Sequence, residues 1–269
     1  MTLRTARLAM FAALAATATF PSAPVDAHDY WLQADNYHLA PGERLVVRLN
    51  MGEWLAAEEE KAHEIERTER FELRLRDDVR NLAASTPEGL KPVFADNLTS
   101  EGAFLFTLVR GAANVEMPAE EFNQYLDHEG IVGLRAQRTT ERERYWRFLK
   151  LLGRVGADNE TDLHHRFTGA QFEIVLLQNP FTLQPGGEQI VQLLFDTKPL
   201  GGTTVFAVHR GADGALTKLN AVTDARGVAR FTLAQPGMWL IRSVYLRPCK
   251  GCKDVDWESF WASYSFALE

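Results

Sequence analysis

From residue 171 onward, turn signals come so close together that only strands fit between them. Asn179-Pro180, Gly186-Gly187, Gly201-Gly202, Gly211-Ala212-Asp213-Gly214, Asp224-Ala225-Arg226-Gly227 and Gln235-Pro236-Gly237 leave intervals too short for a stable helix. The intervals are rich in β-branched and aromatic residues, and they predict strands at 172–177, 189–195, 203–209, 216–222, 228–233, 239–246 and 260–268. Seven short strands with a turn every ~8–12 residues describe a β-sandwich of immunoglobulin type.

The region before residue 112 is also β. Tyr30-Trp31-Leu32 reads as a short opening strand, Pro41-Gly42 as a turn and 44–49 as a strand. Phe71-Glu72-Leu73-Arg74-Leu75-Arg76 alternates apolar and charged residues, which marks a strand with one dry face. The apolar run 104–109 reads as an interior strand, and the charged stretch 58–70 as a solvated loop or short helix. Between about 117 and 153 the period turns helical. Pro118 suits a first turn, with Phe122, Tyr125 and Leu126 following at helical spacing. Thr140-Glu141-Arg142-Glu143 matches a capping box ahead of an apolar stripe of Tyr145, Phe148, Leu149 and Leu152, which Gly153 ends. The expected fold is mainly β: two immunoglobulin/transthyretin-like β-sandwich modules, 28–115 and 170–269, with a helical insertion and polar linker at 116–169.

Residues 1–27 follow the pattern of a signal peptide. Arg4 and Arg7 precede an uncharged apolar run at 8–20, and Val25-Asp26-Ala27 supplies small residues at a cleavage site. Cleavage there predicts a mature chain beginning at His28, in the periplasm or secreted. No later segment is apolar for the ~20 residues that a spanning helix needs. The net charge of −7, with no basic run, excludes nucleic acid as a natural partner and argues against docking on anionic lipid.

A histidine at a newly made N-terminus is a metal chelator. Its α-amine and Nδ1 close a ring on one ion, and near pH 7–8 both donors can give up a proton to it (unperturbed values ~6.5 for imidazole, ~7.7–8.0 for the amine). Nitrogen donors suit copper, nickel, cobalt or zinc and disfavour magnesium and calcium. His28 is therefore the first candidate ligand. His164 and His165, in a polar loop beside Asp162, are candidates for the imidazole that completes the site. His209 reads as structural, and His63 and His128 as solvated. Cys249-Lys250-Gly251-Cys252 admits a small disulfide ring, a thiolate metal pair or a redox pair. The sequence holds no G-x-S-x-G, no glycine-rich phosphate loop and no paired acids with a supporting motif, so it is not read as an enzyme.

Three stretches carry a family resemblance over most of the mature chain. They are Ala27-His28-Asp29-Tyr30-Trp31-Leu32 with Pro41-Gly42-Glu43; Met117-Pro118-Ala119-Glu120-Glu121-Phe122 with Tyr125-Leu126, Glu129-Gly130, Glu143-Arg144-Tyr145 and Lys150; and Asn179-Pro180 through the Thr223–Gly227 turn to Pro236-Gly237-Met238-Trp239 and Asp256-Trp257-Glu258-Ser259-Phe260-Trp261. Together they resemble an exported bacterial family classed as a domain of unknown function. Its members are commonly labelled the periplasmic component of a cobalt or nickel uptake system. The phrase from Lys198-Pro199 to Trp239 also resembles the transthyretin-like or carboxypeptidase-regulatory sandwich modules of exported proteins.

The family resemblance implies a nickel or cobalt cargo held with the help of His28, and membrane components of a metal transporter as partners; the nitrogen chelate adds copper as a third candidate ion. Two other readings stand beside it. One is an adhesion, carbohydrate-binding or scaffold module, with Trp31, Trp54, Trp257 and Trp261 as candidate surface aromatics. The other is a copper oxidative enzyme built on the N-terminal histidine.

Overall fold

The computed structural model describes residues 28–269, so the expected signal segment 1–27 lies outside the described residues. The strands, in chain order, are β1 (Asp29–Ala34), β2 (His38–Leu39), β3 (Arg44–Glu53), β4 (Ala56–Lys61), β5 (Thr68–Arg74), β6 (Val79–Asn81), β7 (Phe94–Asn97), β8 (Gly102–Pro118), β9 (Thr140–Val155), β10 (Phe172–Leu176), β11 (Gly187–Phe195), β12 (Lys198–Pro199), β13 (Thr204–Arg210), β14 (Leu216–Val222), β15 (Val228–Leu233), β16 (Gly237–Pro248) and β17 (Trp257–Leu268). One α-helix, α1 (Ala119–His128), lies among them. The protein is mainly β, as its turn spacing predicts.

The strands form three layers. A central sheet runs β14-β13-β16-β17-β9-β8-β5-β6, with β2 beside the end of β9. A small sheet of β10, β11, β12 and β15 covers one face, and a second small sheet of β1, β3, β4 and β7 covers the other. Phe172, Ile174, Val191 and Phe231 meet Phe148, Tyr264, Ile241 and Ala207 in the first core. Leu32, Leu45 and Leu49 meet Phe71, Phe104, Phe106 and Leu149 in the second. In the C-terminal part, β10-β11-β15 facing β14-β13-β16-β17 is an immunoglobulin-like Greek key, because the chain crosses between sheets at β11 to β13, β14 to β15 and β15 to β16.

The helical reading of 140–153 is corrected: that stretch belongs to β9, so 116–169 carries one helix and not a helical hairpin. β9 lies inside the central sheet between β8 and the parallel β17. It is covered on both faces, so apolar residues occupy neighbouring positions and strand alternation is lost. The stretch 58–70 is also corrected. It carries the outer strand β4, one 3-10 turn at Ile65–Arg67 and the start of β5.

Candidate functional site

His28 enters the fold just before β1, whose Asp29 pairs with Gly52 of β3. Its Nε2–H donates to the Glu58 carboxylate of β4 at 2.8 Å, and its carbonyl accepts from Arg147 Nη1 of β9 at 2.9 Å. Arg147 is buried, with its guanidinium 4.0 Å from the Tyr30 ring centre and 5.0 Å from those of Tyr145 and Trp261. A cation enclosed by three aromatic rings is a fixed donor, so the backbone of residue 28 is held and does not fray.

Glu58 is placed by the β3–β4 hairpin. The two turn residues, Trp54 and Leu55, both take positive φ, 48° and 62°. A bulky residue there costs of order 1–3 kcal/mol, so packing must hold it. The Trp54 ring stacks on His128 at 4.9 Å and lies 4.0 Å from Lys218 Nζ and 4.7 Å from the Arg242 guanidinium.

Behind His28 lies a buried charged network. Arg242 of β16 bridges Asp29, at 2.5 Å, and Glu129 at the end of α1, at 2.6 Å. Glu143 of β9 accepts from the Ser259 hydroxyl, which accepts in turn from Trp261 Nε1. Burial pushes the Asp29 carboxyl up to about 6 against the pull of Arg242, and the Glu143 carboxyl up to about 7. Burial also raises Glu129 and lowers the His128 imidazole. This network ties β1, α1 and the central sheet into one support under the candidate ligand.

The structure does not bring His164 and His165 to His28. They form a 3-10 turn with Leu163, and His164 Nε2 lies 3.1 Å from His165 Nδ1. The His164 carbonyl accepts from Tyr264, whose ring belongs to the core under the β10–β11 sheet. His28 lies over the opposite face of the central sheet. Burial pushes the His164 imidazole down to about 4. Among the described residues, the one group with three ligand atoms within 4.8 Å of one another is Cys249, Cys252 and Glu258. Its two sulfurs are joined as a disulfide in the loop between β16 and β17, with Cα atoms 5.8 Å apart.

Other expectations are corrected. His63 is buried, with its ring against Phe71. His128, by contrast, is exposed at the end of α1, as expected, with its ring stacked on Trp54. Trp31, Trp54, Trp257 and Trp261 are all buried, so they offer no adhesive surface. Trp257 Nε1 donates to Glu141 at 2.6 Å and Trp31 Nε1 to Gln33 at 3.0 Å; both indoles complete interior networks. Sequence reasoning missed Glu58, Arg147, Arg242 and Glu129. The remaining signal was that Arg147 and Arg242 are charges within otherwise apolar strand segments.

No helix among the described residues is long and apolar enough to cross a membrane. The sequence profile of the family described as Domain of unknown function (DUF4198) matches residues 25–247. No curated protein matches the chain. Among solved structures the chain is similar to the D0-D1 domain of intimin, at 12% identity over 87% of this chain and 96% of that one, with a TM-score of 0.22. It is also similar to a tetra-tandem repeat in the extending region of a large adhesion protein, at 9% identity over 90% of this chain and 50% of that one, with a TM-score of 0.23. At those TM-scores neither likeness bears on function.

Proposed function

The chain belongs to the DUF4198 family, and from that premise we propose that it is an exported transition-metal-binding protein whose first ligand is His28. The observation that carries this reading is the hydrogen bond from His28 Nε2 to Glu58. A metal-binding histidine characteristically gives its other ring N–H to a carboxylate, which fixes the tautomer and raises the basicity of the ligating nitrogen. With Nε2 protonated, the lone pair is on Nδ1, the nitrogen that closes a chelate ring with an α-amine. Cleavage after Ala27 makes that amine, and the Arg147 contact holds the residue in place.

The cargo is nickel, cobalt or copper, carried to the membrane components of a metal uptake system or buffered in the periplasm. An all-nitrogen chelate holds Cu(II) most tightly of the divalent first-row ions, whichever metal the cell supplies. Affinity falls as pH drops, because amine and imidazole coordinate only when deprotonated.

Calorimetric titration of processed protein with Cu(II), Ni(II) and Co(II) tests the proposal. One tight site is expected. His28→Ala should remove it, and a single extra residue before His28 should nearly do so, since that keeps the imidazole but displaces the amine. Glu58→Gln should weaken it by about 10–100-fold, the usual effect of losing a carboxylate partner behind a ligand. Equal affinity in the processed and extended proteins would overturn the chelate.

A further inference from the structure

We infer that a cleft on the opposite face of the central sheet binds one ring of a neutral saccharide, with Trp146 as its platform. The cleft has a volume of about 270 Å³ and lies between β5, β8, β9 and the wall 169–171 that leads into β10. Trp146, Phe148 and Val109 give it an apolar floor, while Glu69, Arg70 and Gln171 line its polar side.

Two irregularities in adjacent strands build this arrangement. In β5 the pairing steps from Thr68↔Arg110 directly to Arg70↔Val109, which leaves Glu69 as the extra residue of a bulge. Consecutive strand residues normally point to opposite faces; here the bulge turns Glu69 and Arg70 into the same cleft. In β8 a second bulge lies between Arg110 and Ala113, opposite Tyr145 to Arg147 of β9. Gly111 sits in that bulge, and a Cβ there would come within 2.8 Å of Glu69 Oε1. The missing side chain gives Glu69 room to lie across the strand.

The cleft is preformed. Trp146 is stacked on Phe260 at 5.1 Å with 5° between the rings, so its plane is fixed from the core side. Arg70 Nη1 donates to the Thr168 carbonyl at 2.7 Å, Thr168 donates to Glu173, and Lys150 holds Glu173 and the Arg166 carbonyl, which locks the wall.

The lining chemistry selects the ligand class. The lining carries one carboxylate and one guanidinium, so it has no net charge with which to select an ion. Together with the carboxamide of Gln171 they offer both acceptors and donors, which suits hydroxyls. An indole of fixed plane accommodates the C–H face of a sugar ring. The volume lies just under the ~300–1,000 Å³ of pockets for drug-sized ligands, which fits one ring.

Saturation-transfer NMR and calorimetry of the whole protein with cellobiose, maltotriose and N,N′-diacetylchitobiose test the assignment. At least one should bind, and Trp146→Ala should abolish that binding. Because Trp146 also packs on Phe260, two gentler variants keep the test decisive. Glu69→Gln preserves shape, and Gly111→Ala crowds the Glu69 side chain, at Oε1, Cγ and Cδ. Each should weaken binding about tenfold or more with an unchanged circular dichroism spectrum. Failure of all three sugars to bind, or wild-type affinity in both gentle variants, would overturn it. Neither result touches the metal proposal, which rests on the other face of the sheet.

Discussion

Glu143 has no exposed path to water and keeps its proton up to about pH 7, because burial penalises its charge more than the Ser259 hydrogen bond and Arg147 favour it. In an unfolded chain a glutamate loses that proton near 4.3. Between those two values the folded form holds the extra proton, so Glu143's contribution to stability is full below the window. It declines as pH rises through the window and levels off above 7. The difference is on the order of 3 kcal/mol. Asp29, raised to about 6, acts in the same direction. Glu143→Gln keeps a neutral side chain that still hydrogen-bonds, and is expected to raise the urea midpoint at pH 8 while changing it little near pH 4.5. Urea titrations of both proteins at the two values check this; an unchanged midpoint at pH 8 would show that the fold does not raise the Glu143 carboxyl. At this scale the sequence exposed His28, through the cleavage pattern beside it. It hid the partners: Glu58 is 30 positions away and Arg147 is 119. Glu58 reads as ordinary surface charge, and Arg147 only as a charge set among apolar neighbours.

Among elements, β9 shows how a helical period arises without a helix. Tyr145, Phe148, Leu149 and Leu152 have i, i+3, i+4 spacing, yet Phe148 and Leu152 face one core while Leu149 and Leu151 face the other. Two strand faces overlaid on one segment imitate one helix face. Gly153, which reads as a helix end, is instead a crossing point. A Cβ there would lie 2.3 Å from Phe104 Cζ and 2.8 Å from the Tyr37 carbonyl. Gly153→Ala is therefore expected to lower stability by at least about 2 kcal/mol, toward the upper part of the range for overpacking, as read from the urea midpoint. A neutral effect would mean that Phe104 has room to turn. β4 escaped notice for the opposite reason. Most of its positions are exposed, so it is charged like a loop, and charge on an outer strand discourages pairing with another chain.

Across the whole molecule, the turn spacing located the strands after residue 171 to within a few residues, because each turn carries a local backbone requirement. The pairing between distant segments left no such mark. β17 lies antiparallel to β16 and parallel to β9, matching Trp257–Ser265 with Glu143–Leu151. It thus joins the two sandwiches into one continuous sheet. Ending the chain at Asp256 should remove hydrogen-exchange protection from β8 and β9 as well as from β16. Retained protection in β8 and β9 would show that the N-terminal sandwich is an independent folding unit.

That placement also sets a timetable. A chain made or threaded through a pore from its N-terminus has β9 in hand more than a hundred residues before the strand that must lie beside it. Pairing across so long an interval is slow, because loop-closure entropy is paid before the contacts repay it. Until β17 is made, β9 lacks one of its two neighbours and the central sheet stays divided into two parts.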